Sequence, residues 1–215
     1  MRLAASAGLL VALTSGPSAA SSRDGLQVGF RAGVTLHATR LPGVMSLCDP
    51  LRRGCSDYDT VSTRVWRGQT AWIPSFEVGA DLLALGPLRA GFQLSLGLGP
   101  NEVPALRVVD RTVQPSVFYR GSGELVLGLR GGRGRWRLFA DFLPGFATIY
   151  TPTGILHAGR ESRLASQGFS VGGRAGAGYH FSRWAAVNVF AGGSMGAAPG
   201  LHAGLAFEIS AAPYD

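Results

Sequence analysis

Apolar and polar positions alternate with a period of two along most of the chain, and segment 201–211 (LHAGLAFEISA) carries the pattern in its plainest form. Leu201, Ala203, Leu205, Phe207 and Ile209 fall on one side, and His202, Gly204, Ala206, Glu208 and Ser210 on the other, which marks a strand with one oily face. The same alternation predicts earlier strands at 26–38, 71–83, 89–99, 118–130, 136–150, 169–181 and 184–195. In the first, Leu26, Val28, Phe30, Ala32, Val34 and Leu36 oppose Gln27, Arg31, Thr35 and His37. In the second, Trp72, Phe76, Val78, Ala80 and Leu82 oppose Ser75, Glu77, Gly79 and Asp81. The total is eight.

The polar faces carry charge of both signs. By parity Arg31, Arg120, Arg130, Arg137 and Arg174 share one side of the sheet with Glu77, Asp81, Glu124, Asp141 and Glu208, five against five. A soluble ligand-binding barrel would line its interior with apolar residues and put charge outside, the reverse of this chain. The pattern therefore predicts an all-β, eight-stranded antiparallel up-and-down transmembrane barrel with lipid outside. Eight strands leave an interior that side chains just fill, and an unpaired charge there costs several kcal/mol. The ten inner charges are accordingly expected to form an ion-pair network that plugs the lumen.

The connections alternate as such a barrel requires. Long stretches at 39–69, 100–115 and 151–167 follow the first, third and fifth strands, and short turns rich in Gly, Pro and Ser follow the second, fourth and sixth. Long outer loops, short periplasmic turns and both termini in the periplasm follow from an even strand number. Trp72, Tyr119, Trp136, Tyr150, Tyr179 and Trp184 lie near strand ends and suit interfacial girdles. Pro74 and Pro144 each remove a ladder hydrogen bond and are read as kinks near strand ends.

Residues 1–20 start with Arg2, continue through an apolar run and end in small residues, which predicts a cleaved secretory signal. Residues 21–25 then form a linker and 26–215 the barrel. Export to an oxidising compartment makes a Cys48–Cys55 disulfide the expected fate of the two cysteines; two thiols without nearby His make a poor metal site. No cofactor or metal is expected. All 20 basic residues are Arg against 13 acidic ones, a formal charge of +7, yet no basic helix or aromatic-basic motif gathers them. Nucleic acid is therefore excluded as a partner.

The eight alternating strands, the loop asymmetry and the charged lumen resemble the small outer-membrane barrels of the OmpA and OmpX type, over nearly the whole mature chain. Gly204, Phe207 and Ile209 are similar to the C-terminal insertion signal of such barrels, which the barrel assembly machinery is taken to read. The resemblance implies a bacterial outer-membrane protein in contact with lipid and lipopolysaccharide, non-enzymatic, acting in envelope integrity or surface interaction through its loops. Arginines of the first loop and rim could meet lipopolysaccharide phosphates.

Two alternatives stay open. His37 and His202 sit near the outer ends of the first and last strands, which become neighbours on closure, and His157 lies in an outer connection. With Ser194, Asp49, Asp57 or Asp59 they could build a catalytic rim site for acyl transfer or deacylation of lipid, or hold a metal. The bland account leaves them bonded to water and loop backbone. The other alternative is a narrow channel for small or hydrophobic solutes.

Overall fold

The computed structural model describes residues 28–48, 60–85, 87–108, 111–157 and 160–210. The expected signal and linker lie outside them. Twelve strands follow in chain order: β1 (Gly29–Arg40), β2 (Val44–Cys48), β3 (Thr60–Ser62), β4 (Thr70–Leu85), β5 (Leu88–Pro100), β6 (Leu106–Val108), β7 (Arg111–Val113), β8 (Val117–Arg133), β9 (Trp136–His157), β10 (Arg160–His180), β11 (Ala185–Gly196) and β12 (Gly200–Ser210). A 3-10 turn at Arg64–Trp66 is the one helical element among the described residues. Eight strands pair antiparallel in the order β1, β4, β5, β8, β9, β10, β11, β12, and β12 returns to β1, so the sheet closes. These are the eight strands that the alternation predicts.

Closure sends each side chain in or out by parity. Phe30, Val34, Phe76, Leu94, Leu96, Phe146, Met195 and Leu201 point outward and are exposed, Leu96 by 73% and Met195 by 72%. A soluble monomer does not present a continuous apolar surface of this extent, whereas a hydrocarbon bilayer requires one. Aromatic side chains border the band as expected. Tyr119 and Tyr150 stack at 4.8 Å on one rim, and Trp136 packs on Tyr179 at 5.0 Å on the other. The β8–β9 hairpin turns through Gly134 at φ +61°, a left-handed backbone that glycine adopts without a Cβ clash.

The connections differ from the expectation. Residues 151–167 are not a loop: β9 and β10 run on past the neighbouring strands as a tall hairpin, paired up to His157 and Arg160. Its Thr, Pro and Gly content hides a strand, because the rising hairpin leaves the bilayer and no longer needs one oily face. Within 39–69, β2 pairs with β10 through Cys48, Leu47 and Ser46 opposite Arg163, Leu164 and Ala165, and β3 adds to β2. Within 100–115, β6 and β7 form a small hairpin of their own.

The prolines interrupt their ladders on one side each. Pairing of β4 with β5 starts at Ser75–Gly97, one residue below Pro74, and above it the Asn101 side chain clamps Trp72 instead, accepting from its N–H at 3.0 Å. Pairing of β8 with β9 skips from Glu124–Gly145 to Leu127–Phe142, across Pro144. Since β9 continues to His157, Pro144 stands in mid-strand, not near an end.

Candidate functional site

The lumen is built from alternate residues of all eight barrel strands. Asp141 of β9 is its centre: Oδ2 accepts from Arg89 Nη2 at 2.5 Å and from Arg174 Nε at 2.9 Å. Arg174 of β10 reaches across the barrel to Glu77 of β4, with Nη1 donating to Oε1 at 2.7 Å, and Thr35 donates to the other oxygen of Glu77 at 3.2 Å. Asp81 takes charge from Arg31 and Arg89 at 3.4 Å and from Arg130 at 3.8 Å. Arg130 binds Glu208 with both terminal nitrogens, at 2.8 and 3.0 Å, and Asn188 completes that carboxylate at 2.8 Å. Glu124 accepts from Gln93 at 2.6 Å. Each of the five carboxylates thus holds at least one N–H donor. Their burial, with the Asp141 side chain fully enclosed, makes the contacts mutually dependent.

Nine of the ten expected lumen residues take part in this interior, with Arg120 donating to Ser122 at 3.3 Å. Arg137 sits at the end of the barrel with the short turns, where its Nη1 donates to the turn carbonyls of Gly134 and Trp136. Sequence reasoning missed Asn188 of β11 and, in β5, Arg89 and Gln93. Arg89 and Gln93 lie on the same parity as Ser95, opposite Phe92 and Leu94, so the alternation already contained them. Among the charges, Phe139, Phe190 and Ala206 form a small apolar cluster. Arg174 lies over the Phe190 ring at 4.6 Å and Arg89 over Phe139 at 5.5 Å, contacts that favour a cation.

A second closure sits at the outer mouth. The inward residues Ile73, Phe118, Ile149 and Leu164 meet Leu41, Met45 and Trp66 of the first connection and Val103, Leu106, Val108 and Val113 of the second in one buried apolar cluster. Trp66 is its keystone, fully buried, edge-on to Phe118 at 6.0 Å and donating from Nε1 to Pro104 O at 2.7 Å. The long connections, expected to be surface loops, fold inward over the mouth instead. Their apolar residues lie on irregular segments, a 3-10 turn and strands of three to five residues, too short for an alternation to mark.

The rim histidines meet as predicted from closure. His37 and His202 are register partners, their rings 5.5 Å apart. Arg120 Nη1 lies 3.4 Å from His37 Nε2, so the ring nitrogen that would act as a base accepts from a guanidinium. Among the described residues no three His, Cys, Asp or Glu side chains gather as metal ligands. Ser194 donates to Ala198 O at 2.9 Å, and His157 ends β9 at the tip of the tall hairpin. Asp49, Asp57, Asp59 and Cys55 lie outside the described residues; Cys48 closes β2 and is buried.

Gly204 has a packing reason of its own. A Cβ there would stand 2.6 Å from Val34 O, 2.7 Å from Phe190 Cζ and 2.8 Å from Thr35 Oγ1, closer than real contacts allow. Gly204→Ala is therefore expected to lower the yield of barrel refolded from urea into detergent, where no assembly machinery is present. A residue serving only as a recognition signal would refold like the parent.

No protein-family model and no curated protein matches the chain. Among solved structures, Neisserial surface protein A resembles it with a TM-score of 0.51 at 8% identity, over 85% of this chain and 95% of that one. OprG from Pseudomonas aeruginosa gives 0.49 at 10% identity over 86% and 95%, and Ail of Yersinia pestis 0.48 at 8% over 86% and 98%. At such identity the likeness to the neisserial protein speaks to the fold alone. The chain has the fold of the small eight-stranded outer-membrane β-barrels.

Proposed function

We propose that this chain resides in the bacterial outer membrane as a non-enzymatic barrel, serving envelope integrity or surface interaction through its outer connections. One observation carries the proposal: the inverted polarity, an unbroken apolar exterior around an ion-paired lumen. With the mouth filled as well, the protein acts through its surface and its lipid contacts rather than as a pore. Lipopolysaccharide and the barrel assembly machinery are the partners this residence implies. The test is gel mobility of the outer-membrane fraction with and without boiling in detergent. A band that migrates differently unboiled supports the proposal; a soluble periplasmic protein without a shift overturns it, and steady bilayer conductance overturns the sealed lumen.

The enzymatic alternative rests on His37 and His202. Replacing both and comparing lipid A mass profiles on overexpression separates the two, with unchanged profiles expected. The Cys48–Cys55 disulfide belongs to the same proposal, since the outer surface is oxidising. Neither cysteine of the exported protein should take up a maleimide under denaturing conditions until a reductant is added.

A further inference from the structure

On the lipid-facing wall, an open groove of about 490 Å³ runs over β4, β5, β8 and β9. Its floor is Gly121, which pairs with Leu96 on one side and Thr148 on the other, and its walls are Leu96, Leu98, Tyr119 and Tyr150. The floor is low because the glycine leaves room: a Cβ there would make ordinary contacts, 3.4 Å to Thr148 and 3.6 Å to Leu96. Tyr119 and Tyr150 stack nearly parallel, 8° apart, and give the groove a flat outer end. Beyond them stands Arg163 of β10, exposed, its guanidinium 5.4 Å over the Tyr150 ring. Among the described residues no carboxylate lies within ion-pair distance of Arg163. The register sets it outside the band: Ala165 faces Tyr150, and Arg163 faces Pro152 further out.

From this geometry we infer that the groove and Arg163 together form a binding site for a phosphate-bearing, acylated lipid of the outer leaflet, of the lipid A class. The inference rests on the outer-membrane residence proposed above and names the lipid contact in it. An acyl chain fits the apolar trough, which opens to the bilayer and carries no charge on its outward face. A phosphate fits the cation at its outer end, because a guanidinium recognises phosphate oxygens through paired N–H donors. The aromatic stack between them matches the boundary of chain and headgroup, where tyrosine is favoured.

The experiment is native mass spectrometry of the full chain extracted in detergent, with added bisphosphorylated lipid A or its dephosphorylated form. Arg163→Glu reverses the charge and Gly121→Leu fills the trough; Arg107→Glu, an exposed arginine of the second connection, serves as control. The parent should retain one bisphosphorylated lipid, with occupancy falling at least fivefold in either variant and for the dephosphorylated lipid, and unchanged in the control. Equal occupancy in parent and Arg163→Glu, loss matched by the control, or several lipids held indifferently to headgroup would overturn the site. If Gly121→Leu fails to fold, Arg163→Glu decides alone, since its side chain is outside the wall. The unboiled mobility shift on the same samples keeps the two levels apart. A parent without the shift refutes the membrane residence, whereas a shifted parent with unresponsive lipid refutes only this site.

Discussion

Replacing Arg174 by alanine is expected to cost the barrel about 3–5 kcal/mol, the scale for removing one partner of a buried ion pair. The loss is large because Arg174 serves two carboxylates at once, Glu77 at 2.7 Å and Asp141 at 2.9 Å, from opposite walls of the lumen. Both would remain buried: Asp141 would keep Arg89, but Glu77 would keep only the Thr35 hydroxyl at 3.2 Å among the contacts described above. Arg64→Ala, on an exposed residue of the first connection, should shift stability by no more than about 0.5 kcal/mol. Denaturant unfolding in detergent micelles, followed by tryptophan fluorescence, measures both. Equal effects would contradict the assignment of Arg174 to the inside of a closed barrel.

Trp66→Ala should act on the mouth and leave the barrel standing. Truncating a fully buried Trp costs about 3–5 kcal/mol by lost burial and cavity formation, and here the bond to Pro104 is lost too. That loss falls on the cap, where among the described residues the first and second connections meet through this cluster and the Trp66–Pro104 bond. Limited proteolysis should cut the first connection at least tenfold faster in the variant, while the unboiled mobility shift persists. Conductance should remain absent, because the charged network below the mouth still fills the lumen. Cleavage at the parent rate would mean that Trp66 does not hold the cap, and a new conductance that the ion pairs do not seal.

The barrel itself was legible because lipid outside and charge inside force a strict two-residue period on every spanning segment. Leu201 to Ser210 shows this at each step, and so does the pairing of His37 with His202, foreseen from closure alone. Where the chain leaves the bilayer the constraint ends, and legibility with it. Residues 151–157 and 160–167 are strands held by pairing to one another and to β2, with no oily face to announce them. Trp66 and Val103 reach the core from a 3-10 turn and an irregular segment, where a period of two cannot select them, and Val108 from a strand of three residues, too short for a period to show. Arg89 is a different matter, since parity marked it and only its place beside a turn concealed it. Arg137 has the same parity but stands at the rim, where its Nη1 donates to the turn carbonyls of Gly134 and Trp136.

The pairing of β2 with β10 bears on when the protein becomes complete. The first segment of the chain pairs with late strands at two places, β1 with β12 and β2 with β10. Contacts between such distant parts of a chain form slowly, since ordering the intervening residues must come first. The first connection can settle over the mouth only after the final strands have been made and inserted. Its resistance to protease is therefore a clock: it should appear last, after the mobility shift, and a chain stalled with its C-terminal hairpin unplaced would be betrayed by a vulnerable segment near its beginning.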